Sequence, residues 1–139
     1  MEALDNLVKI RRLKVEPPDA REFDGMLRAA DTKLKDACIE GLSEDSQFSL
    51  AYSAAHALSL AALRWHGYRS ESRYIVFQCL QHTVDLPNAK WRVLDKCHSA
   101  RNLAEYEGHM GVNPQLLKEL ITITRELQVL VKKLAPIAA

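Results

Sequence analysis

Glycine and proline are scarce, five of each in 139 residues. That scarcity excludes collagen-like, linker-rich and low-complexity architectures. Cysteine is scarcer still: Cys38, Cys79 and Cys97 form neither a CxxC pair nor an even set. This speaks against a disulfide framework or a thiolate metal site, and it suggests reduced core thiols in a cytoplasmic protein. Neither sign of charge dominates, since nineteen basic and eighteen acidic residues leave a formal charge of +1. No global field draws in DNA, no DNA partner is indicated, and any RNA contact would need a local patch. No apolar run approaches the ~18 residues of a membrane span. The opening MEALDNLVKIRR carries acids and no apolar stretch of the kind that export signals use. Phosphate loops, dinucleotide fingerprints, zinc-ligand spacings and nucleophile motifs are missing as well. Neither a cofactor nor a metal is expected.

What is present is helical periodicity. The length suits one domain over residues 1–139, with an apolar fraction of 47% that is ordinary for a globular core. A first helix is expected over residues 2–14, ending before Pro17-Pro18, where proline blocks continuation. Asp19 can cap a second, in which Phe23, Leu27, Ala30, Leu34 and Ala37 recur every three or four residues. Gly41 is a plausible stop. Ser43 is the expected cap of a helix over residues 44–66, where the stripes Leu50/Ala54/Leu58/Ala61/Trp65 and Phe48/Tyr52/Ala55/Ser59/Ala62 make two apolar faces. A helix apolar nearly all round belongs at the centre of a bundle. Residues 72–84 carry β-like residues but no neighbour to pair with, so a short helix is expected there. A helix over residues 87–107 and a last one from Asn113-Pro114 to near Pro136 complete the pattern. The expected fold is all-α: an up-and-down antiparallel bundle of about five to six helices, four long ones forming the core.

Chemistry is best sought on the helix over residues 87–107. Val93, Cys97, Ala100 and Ala104 form its apolar face, and His98, Arg101, Asn102, Glu105 and Tyr106 lie beside it at spacings of three and four. Their heads can share one patch, in which arginine supplies a cationic fork suited to phosphate. A merely solvated face with an Arg101–Glu105 pair is the plainer alternative. Asp95 and His98 have a spacing that two metal ligands could use, but no second copy completes a site. His56 reads as a core or interface histidine with a hydrogen-bond partner. His66 and His82 fit helix ends. Arg64, Arg69 and Arg73 cluster around Gly67, as a phosphate-contacting patch or, more simply, a solvated turn.

The segment FSLAYSAAHALSLAALRWHGYR, Phe48 to Arg69, followed some thirty residues on by ARNLAEY, Ala100 to Tyr106, resembles the HEPN family of small helical bundles. The likeness covers roughly residues 44–132, while residues 1–43 match only as generic helices. The resemblance implies a bundle that often forms two-fold dimers. In its active members an arginine, usually followed by a polar residue, and a histidine four to six positions on cleave RNA without metal. Such members often act as toxins beside a nucleotidyltransferase gene; others lack the histidine and serve as binding or scaffolding modules. Arg101 and Asn102 match the first half of that motif, and Tyr106 stands about where the histidine belongs.

Tyrosine, titrating near pH 10, is a poor base at neutral pH, whereas histidine, near 6.5, can both take and give a proton. His98, one turn before Arg101, and His109, beyond Gly108, are the substitutes within reach. Three expectations follow. The first is a non-catalytic HEPN-like homodimer whose Arg101/Asn102/Tyr106 patch, with Glu105 and His98, binds a nucleotide, an RNA phosphate or a nucleotidyltransferase-type partner. The second is a divergent metal-independent ribonuclease using Arg101 with His98 or His109. The third is a purely structural homodimer with this stripe as its interface.

Overall fold

The computed structural model describes residues 1–108 and 112–137, leaving aside the side chains of residues 105–107. Its elements are α1 (Glu2–Lys9), β1 (Lys14–Val15), α2 (Ala20–Ala37), α3 (Glu44–Trp65), β2 (Tyr68–Arg69), α4 (Arg73–Gln78), α5 (Leu80–Thr83), α6 (Asn88–Glu107) and α7 (Pro114–Lys132). The chain is an all-α bundle whose four long helices, α2, α3, α6 and α7, enclose the main core.

Helix starts follow side-chain chemistry. The Asp19 carboxylate accepts from the Glu22 amide at 2.9 Å, and the Ser43 hydroxyl accepts from the Ser46 amide at 3.2 Å. The Asn113 side chain accepts from Gln115 and Leu116 ahead of Pro114. Each satisfies amides that the first helical turn would otherwise leave without partners.

The central position of α3 follows from its composition. Ala51, Ala54, Ala55, Ala61 and Ala62 are fully buried on it, and such small side chains let neighbouring backbones approach closely. α2, α7, α4, α5 and α6 all pack on it. On α6 Trp91, Leu94, Cys97 and Ala104 are buried, with Val93 and Ala100 half-buried beside them. Of the expected Val93/Cys97/Ala100/Ala104 line, Cys97 and Ala104 thus face the core, and the inner face extends to Trp91 and Leu94.

Several boundaries differ from the sequence pattern. α1 ends at Lys9 rather than near residue 14, and the following turn feeds a two-residue strand, Lys14 opposite Arg69 and Val15 opposite Tyr68. Strand pairing thus exists, in places too short for periodicity to reveal. Most of residues 72–84 is helical, divided into α4 and α5 at Cys79. α2 ends at Ala37, short of Gly41, and α7 at Lys132. Cys38 is exposed, in contrast to the expected core thiol, while Cys79 and Cys97 are buried.

A second, smaller cluster seals one end of the bundle: Leu4, Leu13, Leu63, Tyr68, Ile75, Val76 and Cys79. Gly67 makes the turn that allows it. Its φ of +90° is costly for any other residue, and its carbonyl accepts from the Glu16 amide at 2.9 Å.

Beside that turn Arg64 is only 2% exposed. It donates to the Glu22 carboxylate at 2.6 Å and to the carbonyls of Glu16 (2.9 Å), Pro17 (2.8 Å) and Tyr68 (3.3 Å). Arg69 bridges the same two carboxylates, Glu16 and Glu22. Arg64 and Arg69 therefore do not form a merely solvated turn; they fasten the Glu16–Pro17 segment to the end of α3.

Candidate functional site

Three helices converge on one ring. α3 supplies Tyr52 and, one turn on, His56. α4 supplies Arg73 and Phe77, again one turn apart, and α6 supplies His98, Arg101 and Asn102. Tyr52 is fully buried, its edge meeting Phe77 with centroids 6.0 Å apart. The small residues that flank it on α3 let α4 and α6 come near enough to lay charged side chains across it. The Arg101 guanidinium lies 5.1 Å from the ring centroid and that of Arg73 5.4 Å, both within cation–π range.

His98 is tied at both nitrogens. Its Nδ1 is 3.0 Å from the Tyr52 hydroxyl and its Nε2 is 3.2 Å from the Asn102 amide nitrogen. The imidazole lies nearly parallel to the Tyr52 ring.

His56 sits on the Phe77 side, its ring edge-on to Phe77 with centroids 6.1 Å apart. Burial, followed by the positive charges of Arg73, Arg101 and His98, pushes its pKa down to about 4. Charging this imidazole would put another cation into a half-buried cationic group, so it stays neutral at ordinary pH. Among the described residues no hydrogen bond holds it, contrary to the expected partnered histidine.

Arg64 and Arg69 each meet Glu16 and Glu22. No described ion pair involves Arg73 or Arg101. Three of the expected site residues, His98, Arg101 and Asn102, thus come together. The side chains of Glu105 and Tyr106, and all of His109, lie outside the described residues. Arg73, Tyr52 and His56 join the site without having been placed in it from sequence. Arg73 had been grouped with Arg64 and Arg69 by closeness along the chain, yet it begins α4 and turns the other way. For Tyr52 and His56 the available signal was their four-residue spacing on α3. Among the described residues no three His, Cys, Asp or Glu side chains are grouped to hold a metal ion, and Asp95 and His98 form no part of such a group. Among them, too, no helix is long and apolar enough to cross a membrane.

Comparison of the chain with family models, with curated proteins and with solved structures finds no match.

Proposed function

We propose that the chain is a non-catalytic, HEPN-like binding module that takes a phosphate group, of a nucleotide or of RNA, between Arg73 and Arg101. One observation carries the reading: two guanidinium groups share a single buried tyrosine ring, and no described carboxylate neutralises either of them. A guanidinium within cation–π range of a ring can still offer N–H donors, and a pair of these matches two phosphate oxygens at once. Because Tyr52 is immobile and hydrogen-bonded to His98, the cations rest on a preorganised floor. Exposed Asn102 adds a polar group at the rim. The sequence likeness adds a two-fold dimer, a nucleotidyltransferase-type partner and a cytoplasmic setting to the same proposal.

Titration of ADP and of a short RNA against wild type, Arg73→Ala and Arg101→Ala tests it. Each substitution is expected to weaken binding by at least about tenfold, or ~1.4 kcal/mol. Three identical isotherms would remove the site. A weakened dimer with unchanged ligand response in Arg101→Ala would move the stripe to the purely structural reading.

A second reading is a metal-independent ribonuclease with His56 as its base, since its imidazole feels the charges of Arg73 and Arg101, although burial weakens it as a base. It competes with the versions that use His98 or His109. Incubation of the protein with RNA and EDTA decides: cleavage lost in His56→Gln supports it, and intact RNA ends it.

A further inference from the structure

At the end of the bundle sealed by α1 and the β1–β2 pair lies a groove of ≈ 230 Å³ lined by Arg11, Arg12, Lys14, Arg69, Ser70 and Ser72 among others. Arg11, Arg12 and Lys14 are exposed and enter no described ion pair. Exposed Glu71 is the one acid in the lining. Two features show that this charge is placed against the preference of the local backbone. Arg11 has a φ of +63°, the left-handed conformation that favours glycine. It ends α1 in a Schellman turn, the Arg12 amide donating to the Leu7 carbonyl at 2.9 Å and the Arg11 amide to that of Val8 at 3.0 Å. Glycine would serve that turn better. Lys14 stands directly opposite Arg69 across the strand pair, where like charges repel. Both departures converge on the same groove, where the Glu16 carboxylate offsets part of the Lys14–Arg69 repulsion.

The groove and the Tyr52 site flank the same helix. Ser72 and Ile75 face the groove, while Arg73 and Phe77 face Tyr52. On the solvent ridge between them stands Tyr74, 43% exposed, its ring edge-on to Trp91 with centroids 6.1 Å apart. A cationic groove, an exposed aromatic and a second cationic site in succession is how single-stranded nucleic acid is held: phosphates track the charge, and bases stack on the ring whatever their sequence.

We propose that the Arg11/Arg12/Lys14 groove is a second phosphate site, and that a single nucleic-acid strand crosses α4 over Tyr74 to reach the Arg73/Arg101 site. The groove stands on its own observations; the crossing rests on the proposed function above.

The test is fluorescence anisotropy with a labelled single strand of about ten nucleotides, with ADP measured alongside by calorimetry. Arg11→Gly/Arg12→Ala/Lys14→Ala is expected to weaken oligonucleotide binding at least about tenfold and to lower the slope of log affinity against log salt by about two. ADP affinity should stay unchanged. Tyr74→Ala is expected to weaken the oligonucleotide severalfold with no change in salt slope. Unchanged oligonucleotide binding in the triple variant overturns the groove. Oligonucleotide binding that needs the groove but ignores Arg101→Ala keeps the groove and removes the crossing, while loss of ADP binding in Arg101→Ala still upholds the proposed function. Equal affinity for a poly-glutamate peptide or for anionic vesicles refutes the nucleic-acid assignment. A circular dichroism melt of the triple variant matching wild type excludes loss through misfolding.

Discussion

Removing the Arg64 guanidinium should damage the fold far more than removing that of Arg69, although both meet the same two carboxylates. Arg64 is 2% exposed on its side chain and Arg69 29%. In Arg64→Leu the carbonyls of Glu16, Pro17 and Tyr68 lose their donor, and Glu22 loses one of its two cations. Breaking a buried ion pair from one side typically costs about 3–5 kcal/mol. Each orphaned carbonyl adds to the loss, at about 1–3 kcal/mol if water cannot reach it. Against these, Glu16 is 46% exposed and Glu22 31%, and Arg69 continues to neutralise both. The expected loss is therefore about 3–4 kcal/mol, a large part of the roughly 7–20 kcal/mol that 0.05–0.15 kcal/mol per residue gives this chain. Arg69→Leu, removing a pair open to solvent, should cost about 1 kcal/mol or less. Urea titration followed by circular dichroism measures both as shifts in midpoint at constant slope. Equal losses, or an Arg64→Leu loss below about 1 kcal/mol, would refute the view of Arg64 as the fastener between the Glu16–Pro17 segment and α3.

Other outcomes follow from individual groups. His56, whose folded pKa of about 4 lies below its unfolded value near 6.5, takes up its proton more readily when unfolded. Stability should thus be unaffected above pH 6.5 and fall between 6.5 and 4 by at most about 1.4 kcal/mol per unit; NMR titration of its Cε1 proton that shows charging near pH 6.5 would contradict this. Burial raises the Cys79 and Cys97 thiols to about 12, so a thiol reagent at pH 8 should modify exposed Cys38 rapidly and all three only in denaturant. Rapid labelling of more than one native thiol would show a looser core. Arg11→Gly relieves the left-handed strain but frees the unfolded chain and removes a cation from the end of α1, so stability should stay level or rise by up to about 1 kcal/mol. A thermal melt showing clear destabilisation would mean that Arg11 has a structural partner after all.

The long helices were legible because their signals are local. Asp19, Ser43 and Asn113-Pro114 cap the helices they were expected to cap, since a cap needs only the amides two or three residues ahead. α3 was legible as the centre because apolar residues on two faces have nowhere else to go. The β1–β2 pair was not legible: two residues carry no period, and their partner lies more than fifty residues away. The end of α1 was hidden because nothing in Ile10-Arg11-Arg12 marks a stop; an arginine stands where glycine would have announced one. In the candidate site, His98, Arg101 and Asn102 were readable from spacing on one helix. Arg73 was not, since its place depends on how α4 leaves the Gly67 turn.

The formal charge of +1 conceals the feature on which both proposals rest. Charges cancel over the whole chain, but among the described residues the ion pairs are unevenly placed. Arg64 and Arg69 are matched by Glu16 and Glu22, Lys132 by Asp31 and Lys90 by Glu126. On either side of α4, Arg73 and Arg101 gather around Tyr52, and Arg11, Arg12 and Lys14 gather at the end of α1, without matching acids among the described residues. Solvent screens the repulsion within such clusters, and packing or a ligand offsets it further. Around Tyr52 packing does part of that, through cation–π contact. At Arg11 no such contact is present among the described residues, and the backbone itself is strained. An anion common to both clusters would lower the energy of each, and a flexible phosphodiester strand that can bend over one short helix has the charge spacing to do so.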